Sequence, residues 1–269
     1  AASDVYKRQG VMYGHEMTLF IAVITMIIAG SFMIDQTRKM EENGQLEILN
    51  SLHIGSQASS MATNLLVLLH TVLTIILVSG ILVSYNVSSI DLKGSLYFAC
   101  SLGLASLLGA SIAYLCAQIF ATSSQARGIF FSIVGILYVL RAGTDVSNLT
   151  LSKFNPLAWT YLGHPFYQND WYYLIGLFLL TLVVFSIGLV LESSRDLGSS
   201  TIAPKKGKTK ASKWLATPLG FFFYLNRSTI ISWLLADGVI ALMYGSIYGD
   251  IDTFAVSYTH LTLPTILLV

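Results

Sequence analysis

The chain has 269 residues, 54% of them hydrophobic and only 11% charged, with a mean hydropathy of +0.69 and a formal net charge of +1. A soluble domain carries about a quarter charged residues, so this composition cannot coat a water-facing surface and excludes an ordinary soluble protein. The net charge of +1 says nothing about acidic partners, and no nucleic-acid partner is expected.

Both ends read differently from the middle. Asp4-Val5-Tyr6-Lys7-Arg8-Gln9 and Val256-Ser257-Tyr258-Thr259-His260-Leu261 are similar to translations of the two strands of one sequencing adaptor. Residues 1–9 and 256–269 are therefore expected to be artefact, to be set aside in fold reasoning, and the rest to be a fragment lacking the remainder of its own chain.

Six apolar segments follow in chain order, at about 17–34, 61–85, 95–120, 128–144, 171–192 and 228–249. Each is near the length of roughly 17–25 residues that crosses a bilayer as helix. Helices are expected because an open sheet edge leaves backbone groups unpaired in lipid. The fold class predicted is an all-α polytopic transmembrane bundle of about six spans. Residues 10–192 form a half-domain of five spans, 193–227 a linker and interfacial elbow, and 228–255 the first span of a second half.

The fourth segment is the short one, its apolar core running only from Ile129 to Leu140. If it crosses, ten basic residues fall on one side: Arg38, Lys39, Arg127, Arg195, Lys205, Lys206, Lys208, Lys210, Lys213 and Arg227. Lys93, Arg141 and Lys153 fall on the other. That bias assigns the first set to the cytoplasm. The third segment carries a stripe of small residues, Ser101, Ala105, Gly109 and Ala113, read as packing inside the bundle. Cys100 and Cys116 share that helix, too far apart to bond, and read as apolar fillers.

Two loops interrupt the pattern. In loop 35–60, residues 38–53 read as one amphipathic helix, with Leu46, Leu49 and His53 on one face and Ile48 and Leu52 beside it. Stretch 193–227 is Ser-, Gly- and Lys-rich, then aromatic from Trp214 to Leu225, as suits a linker and a segment lying along the headgroups. Five nearby lysines fix topology in a plain linker, the preferred reading, or attract anionic membrane lipids as partners.

No HExxH, GxSxG or Walker motif occurs. The ionisable residues within spans are His70 and Asp237, which are functional candidates by position alone. Glu192 at the end of the fifth span is expected to face water.

The first loop carries a resemblance. Thr37-Arg38 followed by Glu41-Glu42-Asn43-Gly44-Gln45-Leu46-Glu47-Ile48-Leu49 resembles the loop after the second span of ABC-2 type permeases. Asn155-Pro156-Leu157-Ala158-Trp159 is similar to a later signature of that family, with Ala158 in place of its usual glycine. Arg195-Asp196-Leu197-Gly198 and Thr217-Pro218-Leu219-Gly220 resemble the joint between the halves of a long permease. The nearest likeness is to the subfamily described as polyketide-antibiotic exporters.

The resemblance implies a transport subunit that is not itself an enzyme, with no catalytic residues, no metal and no cofactor of its own. ATP and Mg would be bound by a separate ABC ATP-binding subunit, and an amphipathic or hydrophobic small molecule would be the substrate. The residues that would couple to the ATPase are Arg38, Glu41, Glu42, Gly44, Leu46, Glu47, Leu49 and Leu52. Two other classes stay open: a membrane-embedded lipid-modifying enzyme, for which His70 and Asp237 would have to converge, and a non-catalytic membrane scaffold.

Overall fold

The computed structural model describes residues 2–52, 58–87, 89–147, 149–196, 198–202 and 213–227, with scattered positions from 229 to 241. The chain divides into two compact units, 1–204 and 205–269. The break falls inside the Ser-Gly-Lys stretch. Every regular element among the described residues is helical, with no strand.

The first unit contains eight α-helices: α1 (Ala2–Ile34), α2 (Met40–Glu42), α3 (Gln45–Ser51), α4 (Ala58–Ser84), α5 (Leu92–Ile119), α6 (Ser123–Ser147), α7 (Leu149–Ser152) and α8 (Trp171–Ser194). Five of its helical segments are long and apolar enough to cross a membrane. They correspond in order to the first five segments expected from sequence. Most of the sixth lies outside the described residues.

The short fourth segment turns out to be full length. Its membrane-length stretch runs Ser123–Thr144, 22 residues, because polar residues at both ends continue the helix beyond the apolar core. Arg38, Arg127 and Arg195 consequently gather at one end of the unit, Arg38 and Arg195 sharing the Ser199 carbonyl and Arg127 paired with Asp35. Arg141 lies at the opposite end of α6 from Arg127 and donates from Nε to the Tyr161 hydroxyl at 3.0 Å.

α5 is the axis of the bundle. Of its apolar window 72% is buried, against 22% for α4 and α8 and 17% for α6. Its small residues explain this. Ser101, Ala105, Gly109 and Ala113 are all buried. A Cβ on Gly109 would stand 2.6 Å from the Met26 carbonyl oxygen of α1, so glycine permits the backbones of α1 and α5 to touch. The stripe is thus used for packing within the unit. Cys100 and Cys116 are free thiols on the same helix.

The outward faces of α4, α6 and α8 carry exposed Leu, Ile, Val and Phe, which suits hydrocarbon rather than water. Some buried hydroxyls return their protons to their own helices. Thr71 donates to the Val67 carbonyl at 2.9 Å and Ser111 to the Leu107 carbonyl at 2.8 Å, which satisfies them in a region without water, whereas Ser95 and Ser106 of α5 are buried with no partner among the described residues.

Beyond α6 the chain turns over the Asn155–Trp159 signature. The Asn155 side chain donates to the Leu137 carbonyl at 2.7 Å and accepts from the Leu157 N–H at 2.9 Å. Ala158 is wholly buried there. In the second unit a 3-10 turn, Lys213–Ala216, precedes a helical stretch 218–227. Trp214 stacks on Phe223 with ring centroids 6.3 Å apart, and the Arg227 guanidinium lies 4.0 Å over Tyr224.

Candidate functional site: a charged clamp at one end of the bundle

α1 has 33 residues, about 50 Å at 1.5 Å each, while the hydrocarbon core is about 30 Å thick. The helical path therefore outruns the membrane. Its apolar run ends at Ile34, and the charged residues begin at Asp35. There the helix loosens into a π turn, Asp35–Lys39, before α2. Such bulges rotate the side chains that follow, and here they aim Arg38 and Glu41 inward.

Arg38 is 3% exposed. Its Nε and one terminal nitrogen donate to the Ala121 carbonyl at 2.9 and 2.7 Å. The other terminal nitrogen donates to Glu41 Oε2 and to the Ser199 carbonyl, both at 2.9 Å. Arg195, at the end of α8, meets Glu41 with both terminal nitrogens at 2.7 Å. Its Nε donates to Gln118 Oε1 of α5 at 2.6 Å. The Gly198 N–H adds a bond to Glu41 Oε1 at 2.7 Å. Each oxygen of Glu41 thus accepts two hydrogen bonds, which is close to the capacity of a carboxylate.

Three further links complete the clamp. Glu42 Oε2 accepts from the N–H and hydroxyl of Ser123, at 3.0 and 2.6 Å, capping the start of α6. Asp35 pairs with Arg127 of α6 at 2.6 Å and with Lys39 at 3.1 Å. Glu192 of α8 accepts from the Tyr114 hydroxyl of α5 at 2.5 Å and from Ser60 of α4 at 3.1 Å. All five long helices are tied together at this end.

The electrostatics follow from the partners. Burial alone would raise the Glu41 carboxyl, but the bonds from Arg195 and Gly198 and the charge of Arg38 outweigh it and hold it below the ordinary carboxylate range. Glu42 is also held low, by the two donors of Ser123.

The structure corrects the continuous amphipathic helix 38–53. Asn43 and Gly44 form a turn, with Gly44 at φ +71°, so α3 is a separate short helix. Its faces differ from expectation as well. Leu46 turns inward onto a small polar pocket with Glu41, Ser60, Gln118 and Glu192. Leu49 is half-buried, and Leu52 lies past the end of α3. The outward apolar pair is Ile48 and Leu52, 68% and 53% exposed, beside exposed Glu47. His53 lies outside the described residues.

Sequence reasoning also placed Glu192 in water, whereas Tyr114 and Ser60 bind it. It passed over Gln118 and Tyr114 altogether. The available signal was the presence of polar side chains at the ends of otherwise apolar runs. His70 is exposed on α4 and lines a groove of about 260 Å³ with Ile28, Ala29, Phe32, Leu66 and Val67. Asp237, in the second unit, is exposed. Among the described residues no group of His, Cys, Asp or Glu is placed to hold a metal.

No family model matches the chain. Over 221 residues it is 26% identical to a multidrug efflux system permease protein of Mycobacterium tuberculosis, an alignment covering 81% of this chain and 39% of that protein. The chain thus spans about two fifths of that relative's length. That likeness and the five membrane-length helices identify a multi-pass protein of the cell membrane.

Proposed function

We propose that the chain forms part of the membrane-spanning permease subunit of an ATP-driven exporter of the ABC-2 type. It would carry an amphipathic or hydrophobic small molecule outward across the cytoplasmic membrane. The observation that carries this reading is the clamp. A short helix, α3, and the residue that ends it offer Ile48 and Leu52 outward, and α3 is joined through Gly44 to a charged hub that grips every long helix of the first unit. Two apolar side chains beside Glu47 suit insertion into a groove on a partner. A push on them is delivered to Glu41, and from there to α5, α6 and α8 together. The likeness to an efflux permease supports the same reading.

ATP and Mg would then sit on the partner ATPase, and this chain would be a transport subunit rather than an enzyme. The test is reconstitution of the full-length protein with its ATP-binding subunit in proteoliposomes. The double variant Ile48→Asp, Leu52→Asp is expected to insert and fold normally. It should lose both co-purification with the ATPase and ATP-driven transport of a dye substrate. Normal transport by that variant would overturn the reading.

A further inference from the structure

The chain does not leave the clamp where α8 ends. Beyond Arg195 it turns at Gly198, which stands at φ +79°, and residues 198–202 reach back to the end of α5. Hydrogen bonds hold them there. The Gly198 N–H donates to Glu41 Oε1 at 2.7 Å. The Ser199 carbonyl accepts from one terminal nitrogen of Arg38 and one of Arg195, both at 2.9 Å. The Thr201 hydroxyl donates to the Gln118 carbonyl at 3.3 Å, and the Ile202 N–H to the Ile119 carbonyl at 3.0 Å. Those two acceptors are among the end carbonyls that a helix cannot satisfy by itself.

The hold is polar and shallow. Gly198, Ser199 and Thr201 are exposed, and Ile202, the one large apolar side chain of this stretch, is 54% exposed. A segment that buries so little apolar surface opens locally at low cost. Its attachment therefore depends on the hydrogen bonds just named.

Glu41 is common to most of them. It accepts from Gly198 directly, and it pairs with both guanidiniums that grip Ser199. Thr201 and Ile202 alone are bound without it. Glu41 lies in α2, three residues before Gly44 and the turn into α3. A displacement of α3 that draws Glu41 out removes the charged part of the hold. α8 itself stays tied to α4 and α5 through Glu192.

We propose that residues 198–202 are a releasable strap with Glu41 as its buckle. With Glu41 seated, the chain that enters the second unit at 205 leaves the bundle beside the end of α5. With Glu41 withdrawn, it leaves from the end of α8. The tether then gains five residues, up to about 17 Å at 3.3 Å each. The dependence of the strap on Glu41 stands by itself; its withdrawal when a partner binds nucleotide rests on the function proposed above.

The test is hydrogen–deuterium exchange of the full-length protein in lipid nanodiscs, read by mass spectrometry at single amides. The Ile202 N–H is the reporter, because its acceptor belongs to α5 and not to the charged residues. In the native protein it should exchange slowly. Glu41→Gln keeps the shape of the side chain and removes its charge. It should speed Ile202 exchange about tenfold to hundredfold, the worth of one hydrogen bond to a charged group. Gly198→Pro removes the N–H and cannot adopt the left-handed turn. It should speed Ile202 as well, while amides in the middle of α5 keep their native rates, which separates release of the strap from unfolding. An Ile202 amide already unprotected in the native protein, or unmoved by Glu41→Gln, would overturn the proposal. So would α5 amides that quicken in step with Ile202 in Gly198→Pro. In the complex with its ATP-binding subunit, a non-hydrolysable ATP analogue should speed Ile202 in the native protein. No change there, with both variants responding, would keep the strap and remove its control by nucleotide. Failure to form that complex at all would remove the exporter reading and leave the result of the two variants standing.

Discussion

Glu41 and Arg195 lie 154 positions apart in the chain and meet in a two-pronged pair, with both contacts at 2.7 Å. The Glu41 side chain is 5% exposed and that of Arg195 13%. Both side chains are largely shut off from water, and without Arg195 the Glu41 carboxylate keeps only Arg38 and the Gly198 N–H. Breaking a buried pair by deleting one partner costs about 3–5 kcal/mol. Glu41→Ala and Arg195→Ala should each lower the melting temperature in detergent sharply. The double variant should be less harmed than the sum of the two, because the Glu41–Arg195 contact is lost only once, although Arg38 is left without its carboxylate in both Glu41 variants. A double-mutant cycle followed by thermal unfolding checks this, and additive losses would show that the pair is not coupled.

The same pair predicts a response to acid. The Glu41 carboxyl is lowered in the folded protein, so the unfolded chain takes up its proton first. The stabilisation is therefore complete above the ordinary carboxylate value of 4.5 and is lost as pH falls below it, through the lowered folded value. Native protein should lose melting temperature across that window, while Glu41→Gln, already uncharged, should change less. Parallel curves would remove Glu41 as the cause.

Gly44 stands at φ +71° with open space where a Cβ would go. Its requirement is conformational and not steric. Gly44→Asn should be tolerated, since asparagine visits the left-handed region. Gly44→Val should cost about 1–2 kcal/mol in the turn and realign α3. If the proposed ATP-driven function holds, full-length protein reconstituted with an ATP-binding subunit should lose ATPase coupling with Val and retain it with Asn.

Gly109 fails for the opposite reason. Any side chain there meets the Met26 backbone. Gly109→Leu is expected to force α1 from α5 and cost about 1–3 kcal/mol or more, as overpacking does. The equally large change Gly80→Leu, on α4 with nothing within 4 Å, should be near neutral. Comparing the two variants by thermal unfolding checks that the small-residue stripe acts inside the unit.

The five spans were legible because hydrocarbon demands long apolar runs, and composition records that directly. Even the short fourth span was recoverable, since only a crossing there puts Arg195 and the Lys-rich stretch on the same side as Arg38 and Arg127. What sequence could not show was the use of the acidic loop. Glu41 and Glu42 read as charges free to meet a partner, but Arg195 and Ser123 bind them, and no local periodicity announces a contact across 154 positions. The break at Gly44 was readable as a bend but was subordinated to the leucine spacing. One residue of turn geometry was enough to carry Leu46 inward and leave Ile48 and Leu52 as the outward pair. Glu192 was misplaced because a carboxylate at a helix end ordinarily meets water, and its partner Tyr114 looked like one more aromatic in an apolar run.

The distance between Glu41 and Arg195 along the chain also sets an order of events during biosynthesis. A ribosome adding about 5–20 residues per second delivers Arg195 roughly 8–30 s after Glu41. Until then the first hairpin waits in the membrane with Arg38 and Glu41 facing each other at its edge. The clamp closes only when the fifth helix has been inserted in the correct direction. A missed or inverted insertion leaves Glu41 with Arg38 alone, so the two-pronged pair forms only on a chain whose helices have all been inserted in the right direction.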